Sequence, residues 1–334
     1  MAILVTGGAG YIGSHTVREL LEQGEKVVVL DNLCKGHAAA VPEGLLVRGD
    51  VQDQELLRRL FRRHEIEAVI HFAAFSLVGE SVQEPLKYYE NNVVAAQKLL
   101  TVMRECGVKR FVLSSTAATY GDPQSIPIEE SDPTLPTNPY GETKLAIEKM
   151  LHWCDMAYGM KAVSLRYFNA AGAHEDGEIG EDHQPESHLI PLILQVALGQ
   201  REMINIYGDD YETEDGTCIR DYIQVMDLAQ AHWLALKLLR ERETGGTYNL
   251  GNGRGFSVKE VIARARLITG HPIPSRIDAR RAGDPAVLVA SAEKAKRELG
   301  WRPRHSSLDE MIASAWNWHR KHPAGYGENG RKRE

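Results

Sequence analysis

Apolar and polar positions follow two alternating patterns along the first half of the chain. Short runs rich in Val, Ile and Leu recur between longer stretches with the periodicity of amphipathic helices. Strands of a parallel sheet have this apolar composition because crossover helices cover both faces of the sheet. The candidate strands are ILVT, KVVVLD, GLLVRGD, EAVIHFAA, RFVLSS and AVSLRYF. From Ile3 to about Phe168 the pattern therefore predicts an α/β fold with a doubly wound parallel sheet of the Rossmann type.

Glycines mark the ends of two predicted helices in this region. A helix over residues 13–23 is followed by Gly24, and a helix over residues 92–105 is followed by Gly107. Glycine is common just after a helix because it adopts a left-handed conformation without steric cost. These positions support the alternation of strands and helices.

The regularity decreases after Gly172. A polar, acidic loop (AHEDGEIGEDHQPES) precedes a predicted helix over residues 189–198, and shorter strands such as INIY and TYNL follow. We predict a cofactor-binding domain over residues 1–172 and a smaller, mixed α/β substrate domain over residues 173–320. Residues 321–334 are predicted to be a loose tail. The helical period around residues 225–240 predicts a helix that packs back on the first domain.

Composition and charge exclude several classes of protein. The chain has 334 residues, of which 43% are hydrophobic and 25% are charged, as in ordinary globular proteins. Its 39 Lys and Arg against 46 Asp and Glu give a net charge of -7, which does not favour nucleic-acid binding. The four cysteines lack the spacing of a disulfide framework or a zinc site, so no metal is predicted: Cys34, Cys106, Cys154 and Cys218.

The N-terminal sequence, MAILVTGGAGYIG, has neither the basic segment nor the cleavage site of a secretory peptide. No stretch approaches the roughly 18 apolar residues that a membrane-spanning helix needs. We therefore expect a cytoplasmic protein that does not associate with membranes.

A glycine-rich motif joins the first predicted strand to the first helix. Gly7, Gly10 and Gly13 lie at three-residue intervals where the chain must turn tightly. Backbone amides and the positive end of a helix dipole at such a turn hold a pyrophosphate. The interval differs by one residue from the usual dinucleotide fingerprint, and an ordinary strand-to-helix turn is the alternative.

Acidic residues at later strand ends favour a dinucleotide. Asp31 ends the second strand 18 positions after Gly13, close to the roughly 20 at which an acid binds the adenosine ribose. A carboxylate there repels a 2′-phosphate, so NAD is preferred to NADP. The third and fourth strands end in further candidate cofactor contacts, namely Asp50 and Val51, then Phe72, Ala73 and Ala74.

Candidate catalytic residues follow the fifth strand. This strand ends in Ser114, Ser115 and Thr116, and Tyr140 and Lys144 lie four residues apart at the start of a predicted helix. Residues four apart lie on one helix face. A free tyrosine has a pKa of about 10, and a nearby ammonium and a positive nicotinamide ring both favour its phenolate. Tyr140 is therefore a candidate base, with Thr116 sharing the substrate proton and Lys144 bonding the nicotinamide ribose.

These motifs together resemble the extended short-chain dehydrogenase/reductase family, and within it the UDP-hexose 4-epimerases. The resemblance covers Ala2 to about His319. It rests on TGGAGYIGSH, HFAA, VGESV, YYENNV, SSTAATYGD, NPYGETK, LRYFNAAGAH, TEDGTCIRDYIQVMDLA and RRAGDPA, which occur in the family's order. It implies interconversion of UDP-galactose and UDP-glucose through a 4-keto sugar, with an NAD that stays bound.

The resemblance also implies the site residues. Tyr140 takes the proton of the 4-hydroxyl, assisted by Thr116 and Lys144. Implied cofactor contacts are Gly7, Gly10, Tyr11, Ile12, Gly13, Asp31, Asn32, Asp50, Val51, Phe72, Ala73, Ala74, Asn91, Ser114, Tyr140, Lys144, Tyr167 and Phe168. Implied contacts to the UDP-sugar are Thr116, Tyr140, Asn169, Leu189, Tyr207, Arg220, Tyr222, Arg281 and Asp284, and the two arginines are suited to grip a pyrophosphate.

Two positions depart from the family pattern and leave the substrate range open. Ser76 stands where some members carry a lysine that touches the cofactor phosphates. Leu288 is nearest to the position where some members carry a bulky tyrosine that limits the sugar's 2-substituent. A smaller side chain there is compatible with UDP-N-acetylhexosamines. Uronate and pentose sugars stay open as alternatives.

Two other functions fit these residues less well than epimerisation. A nucleotide-sugar dehydratase or decarboxylase needs an acid or base beside the threonine, whereas Ala117 and Ala118 follow Thr116. A non-catalytic NAD-binding protein needs no Tyr, Lys and Thr together, although the fold alone permits that role.

The resemblance further implies a homodimer formed by the helices predicted over residues 92–105 and 141–158. The apolar residues considered for this interface are Val93, Leu100, Met103, Leu145, Ile147 and Leu151. The alternative is that these side chains cover their own sheet.

Overall fold

The larger unit of the protein is a parallel sheet with helices on both faces. The computed structural model describes residues 1–281 and 284–327. Seven strands, numbered along the chain, form this sheet: β1 (Ala2–Thr6), β2 (Val27–Asp31), β3 (Leu46–Arg48), β4 (Ile66–His71), β5 (Arg110–Ser114), β6 (Lys161–Tyr167) and β10 (Gly246–Leu250). Their order across the sheet is β10-β6-β5-β4-β1-β2-β3, so the predicted Rossmann-type fold is confirmed.

Helices follow most strands. They are α1 (Tyr11–Glu22), α2 (Gln54–His64), α3 (Val78–Gln83), α4 (Pro85–Tyr88), α5 (Ala95–Glu105), α6 (Pro139–Tyr158), α7 (Leu189–Ala197), α8 (Val225–Arg242), α9 (Val258–Thr269), α10 (Glu293–Glu298) and α11 (Leu308–Lys321). A π-helical turn, Tyr89–Val94, leads into α5, so the helix predicted over residues 92–105 starts in that turn. Within the described ranges, no helix has both the length and the apolar character needed to cross a membrane.

The strand side chains alternate between two cores. On β1, Ile3 and Val5 pack on one face of the sheet with residues of α1 and α8. Ala2 and Leu4 point to the other face and pack with residues of α2, α5 and α6. All four are at most 6% exposed, because both faces of the sheet are covered.

The smaller unit has two short sheets. Strand β9 (Ile219–Gln224) is central in one, beside β7 (Asn169–Ala171), β11 (Gly255–Ser257) and β13 (Val287–Leu288). Strands β8 (Ile204–Tyr207) and β12 (Ser275–Asp278) form the other. Apolar side chains of α7, α9 and α11 form a third core with these strands.

The chain returns from the second half to the large sheet. Helix α8 packs against α1, and β10 then pairs in parallel with β6. The sequence TYNL, which we assigned to the smaller domain, is therefore an edge strand of the large sheet. The reason is tertiary: α8 covers the sheet beside α1 and delivers the chain next to β6.

The C-terminal end of the described chain is packed on the rest of the molecule. Lys321 is the last residue of α11, inside the tail predicted over residues 321–334. Tyr326 stacks on His37 at 4.9 Å between ring centroids and contacts the ring of Trp318. The tail prediction is therefore wrong up to Gly327, and residues 328–334 lie outside the described residues.

Candidate active site

A cleft of about 1190 Å³ lies at the carboxyl edge of the large sheet, facing the smaller unit. Open α/β sheets bind ligands at this edge. The lining includes every site residue predicted from the sequence, from the glycine motif on one side to Arg220, Arg281 and Asp284 on the other. The structure thus brings the predicted residues together, while their individual roles stay predictions.

The glycine motif needs glycine at two positions for steric reasons. Gly7 has a φ of +72°, and a Cβ there would lie 2.5 Å from the backbone nitrogen of Ala73. A Cβ on Gly13 would lie 2.3 Å from the carbonyl oxygen of Gly7. Gly10 is less crowded and is the N-cap of α1, so the first turn of this helix stays open toward the cleft.

Asp31 holds the glycine turn in place. One carboxylate oxygen accepts a hydrogen bond from the amide of Ala9 at 3.0 Å, and the other accepts one from the amide of Leu33 at 2.8 Å. Burial raises the pKa of Asp31, although these two amides act in the opposite direction. Asp31 therefore has a structural role beside the ribose contact predicted for it.

We expect Asp31→Ala to weaken NAD binding about 10- to 100-fold, since hydrogen bonds to a charged group contribute about 1.5–3 kcal/mol. Fluorescence titration of the variant with NAD measures this change. Asp53→Ala is the matched control, because Asp53 also accepts a backbone amide hydrogen bond, from Leu56, but does not line the cleft. Equal NAD affinity in the two variants would contradict the role of Asp31.

Tyr140, Lys144 and Thr116 line the same cleft. Lys144 is 3% exposed, and its Nζ donates a hydrogen bond to the carbonyl oxygen of Ser114 at 2.7 Å. Thr116 caps a short 3₁₀ turn by accepting the amide of Ala118 at 3.1 Å. The hydroxyls of Ser114 and Tyr167 share a hydrogen bond of 2.5 Å beside them.

Burial controls the acidity of the central pair. It raises the pKa of Tyr140 to about 12, and the hydrogen bond with Thr116 acts in the opposite direction. Burial also lowers the pKa of Lys144 to about 8, against the opposing charge of Glu148. The expectation that a neighbouring ammonium makes Tyr140 a base is therefore incomplete, because in the protein alone desolvation of the phenolate raises the pKa of Tyr140.

The N-terminus of α6 is held by side-chain hydrogen bonds. Asn138 accepts the amide of Gly141 at 2.9 Å, and Pro139 occupies the first helical position, where a missing N–H has no cost. Asn92 of the π-helical turn donates to the hydroxyl of Thr143 at 3.0 Å. These contacts orient the helix turn that carries Tyr140.

A buried ion pair lies one helical turn beyond Lys144. Glu148 accepts two hydrogen bonds from Arg166, at 3.0 and 2.5 Å, and one from the hydroxyl of Ser115 at 2.5 Å. The side chains of Glu148 and Arg166 are 8% and 7% exposed. The pair connects α6 to β6 and to the end of β5, and so joins the elements that carry the candidate catalytic residues.

The two predicted pyrophosphate arginines have different partners. Arg220 forms an ion pair with Asp284 and donates to the carbonyl oxygen of Ile219 at 2.7 Å. The guanidinium of Arg281 lies 4.1 Å from the ring centroid of Tyr207. Both arginines line the cleft, but in the protein alone Asp284 already neutralises the charge of Arg220. The neighbouring residues 282 and 283 of the RRAGDPA motif lie outside the described residues.

The sequence comparisons identify the family. The sequence model described as the NAD dependent epimerase/dehydratase family matches residues 3–251. The chain belongs to this NAD-dependent family. A protein of Halalkalibacterium halodurans named UDP-glucose 4-epimerase is 64% identical, with all of both chains covered.

Solved structures agree with this assignment to the epimerase/dehydratase family. A crystal structure of a UDP-glucose 4-epimerase has a TM-score of 0.96 and 57% identity, covering 98% of this chain and 100% of that one. The UDP-glucose 4-epimerase of Bifidobacterium longum, solved with NAD+ and UDP, has a TM-score of 0.92 and 43% identity, with the same coverage. The resemblance to the 4-epimerases stated above is confirmed.

The cleft fits the cofactor of this family. Gly7 and Gly13 have no space for a side chain, while the α1 N-terminus, Asp31 and Asp50 lie along the same wall. Ser76 and Leu288, the two departures from the family pattern, line the cleft as well.

Some lining residues were not predicted. The acidic loop before α7 contributes His183, Ser187 and His188 to the cleft. From the sequence, this loop is predicted only to connect two elements. The repeated spacing of Glu181, His183, Glu186 and His188 is a signal that would have identified this loop.

Proposed function

We propose that the chain interconverts UDP-galactose and UDP-glucose by inversion at sugar C4, with NAD as its resident cofactor. The observation that carries the proposal is the single cleft lined by Tyr140, Lys144 and Thr116 together with the glycine motif and Arg220. Similarity to UDP-glucose 4-epimerases over the whole chain supports the same reaction.

The chain's own residues carry the proton transfer and the binding. The glycine motif and Asp31 would hold the NAD, which would supply an acceptor and donor for the C4 hydride and a positively charged ring. That charge and the Lys144 ammonium oppose the effect of burial on Tyr140, which then takes the proton of the 4-hydroxyl. Thr116 assists in this transfer. The smaller unit holds the UDP group while the 4-keto sugar rotates to present its other face. The binding energy therefore comes from the UDP group, which does not react.

The residues after Thr116 favour epimerisation over elimination. Ala117 is 4% exposed, and Ala118 uses its amide to bond the Thr116 hydroxyl. Neither side chain can donate or accept a proton, which a dehydratase requires beside the threonine. Return of the hydrogen to C4 is then the supported outcome.

The test is incubation of the purified protein with UDP-galactose, first without and then with added NAD. Proton NMR of the anomeric position follows the formation of UDP-glucose. Conversion supports the proposal, and its absence in both conditions contradicts it. The same assay with UDP-N-acetylgalactosamine tests the substrate range, because Leu288 pairs with Arg220 on β13 and β9 and lines the cleft.

We also propose that the chain forms a homodimer through α6. We further propose that the protein is located in the cytoplasm. Of the six apolar residues named from the sequence for this interface, Val93 is half-buried and the other five are buried. Leu100, Met103, Ile147 and Leu151 are at most 3% exposed and pack in the core that contains Ala2 and Leu4 of β1. Leu145 is 5% exposed. The exposed apolar residues of α6 are instead Trp153, Met156 and Tyr158, at 67%, 71% and 45%. Such a patch favours a protein partner.

We expect Trp153→Glu to shift the protein from dimer to monomer. A charge in the centre of an apolar interface stays desolvated and unpaired, which weakens association. Sedimentation velocity measures the oligomeric state. Leu267→Glu is the matched control, because Leu267 is also exposed, at 70%, but lies on α9. A wild-type monomer, or a Trp153→Glu dimer, would exclude this interface.

A further inference from the structure

Four potential metal ligands meet in the loop between β7 and α7. Glu181, His183, Glu186 and His188 each offer one nitrogen or oxygen, and these four atoms all lie within 4.8 Å of one another. They occur within eight consecutive residues of the loop. The reaction described above uses none of them.

The two imidazoles and two carboxylates point toward one another. Nδ1 of His188 lies 2.5 Å and Nδ1 of His183 lies 3.1 Å from the same oxygen, Oε1 of Glu181. The two nitrogens lie 3.6 and 3.9 Å from the oxygens of Glu186. All four side chains therefore surround one small volume.

Two buried carboxylates share this volume with two imidazoles. The side chains of Glu181 and Glu186 are only 4% and 6% exposed, and buried carboxylates need a compensating charge. Among residues 1–281 and 284–327, their ion-pair partners are His183 and His188, with no lysine or arginine. A divalent cation balances both carboxylates while the two imidazoles bind it as neutral ligands.

We propose that Glu181, His183, Glu186 and His188 bind one divalent transition-metal ion, for which zinc is the best match. Imidazole and carboxylate ligands suit zinc, and four protein ligands are typical of a structural site rather than a catalytic one. The metal binds in the wall of the cleft, where His183 and His188 lie, and has a structural role there.

The loop is already connected to both units of the fold. Trp318 of α11 donates its Nε1–H to the carbonyl oxygen of Glu181 at 3.1 Å. His37 lies 2.8 Å from the carbonyl oxygen of Asp182. The ring of His183 contacts that of Tyr11, edge to face, at 6.1 Å between centroids. A bound metal therefore rigidifies the cleft wall from the glycine motif to Leu189, the first residue of α7.

The experiment measures metal binding to the whole chain after treatment with a chelator. Calorimetric titration with Zn²⁺ is expected to give one tight site per chain, and Co²⁺ is expected to show the visible absorption of a four-coordinate site. Added Zn²⁺ also raises the midpoint of thermal unfolding, because it binds the folded state. None of these three readouts depends on epimerase activity.

His183→Gln and His188→Gln are each expected to weaken Zn²⁺ binding on the order of 100-fold, since even groups behind the ligands change affinity by 10- to 100-fold. The His188 side chain is 48% exposed, so its replacement leaves no cavity in a core. His271→Gln, at an exposed histidine away from the loop, is the matched control and keeps wild-type affinity. Absence of a tight site, or equal Zn²⁺ affinity in all the variants, overturns the proposal.

Discussion

Tyr140→Phe is expected to lower the turnover of UDP-galactose by about 10²- to 10⁴-fold, the usual contribution of a positioned acid or base. The substitution removes only the hydroxyl. The half-buried ring keeps its packing, and the Asn138 cap and the Lys144 hydrogen bond to Ser114 do not involve that hydroxyl. The sugar 4-hydroxyl then has no acceptor for its proton at the place where the C–H bond breaks.

The measurement separates catalysis from binding. We expect kcat to fall while the affinities for NAD and UDP stay within about threefold, because a hydroxyl that acts only in the transition state changes kcat and kcat/KM together. Tyr158→Phe, at an exposed tyrosine at the end of the same helix, is the control and keeps wild-type turnover. Near-normal kcat in Tyr140→Phe would remove this residue from the mechanism.

Glu148→Ala is expected to lower the free energy of unfolding by about 3–5 kcal/mol, the usual cost of breaking a buried ion pair from one side. Arg166 is 6% exposed and loses both of its charged hydrogen bonds. The hydroxyl of Ser115 loses its acceptor in the same variant. Because the pair connects α6 to β6, we also expect lower activity through displacement of Lys144.

Equilibrium unfolding in urea measures the first effect. Asp155→Ala is the control: it also removes the acidic partner of an ion pair that joins α6 to β6, with Lys161, but both side chains there are 36% exposed. Such exposed pairs contribute about 0–1 kcal/mol. A Glu148→Ala variant as stable as Asp155→Ala would mean that Arg166 finds another partner or water.

The large sheet and its ligand edge were predictable because their signals are local. Buried strands read as continuous apolar runs, and Gly7 and Gly13 stand where the backbone has no space for a Cβ. The position of β10 was not predictable in this way. TYNL has the composition of any short strand, and only the packing of α8 beside α1 places it next to β6.

The exposed faces of α5 and α6 were also not predictable from the sequence. The periodicity of α5 and α6 identifies the helices but does not say which apolar residues are free. Leu100 and Ile147 lie in the core, whereas Trp153 and Met156 are exposed, because the sheet covers one side of each helix. The apolar surface available to a second chain therefore becomes visible only when the helices are packed.

The sequence by itself determined the fold class, the family and many of the residues that line the cleft, because these depend on spacing and on side-chain type. Only the tertiary structure decided how those residues behave. Burial raises the pKa of Tyr140, Asp284 neutralises Arg220, and Glu181 meets His183 and His188 in one small volume. Desolvation and long-range charge pairing depend on which surfaces the fold brings together, and spacing along the chain does not contain that information.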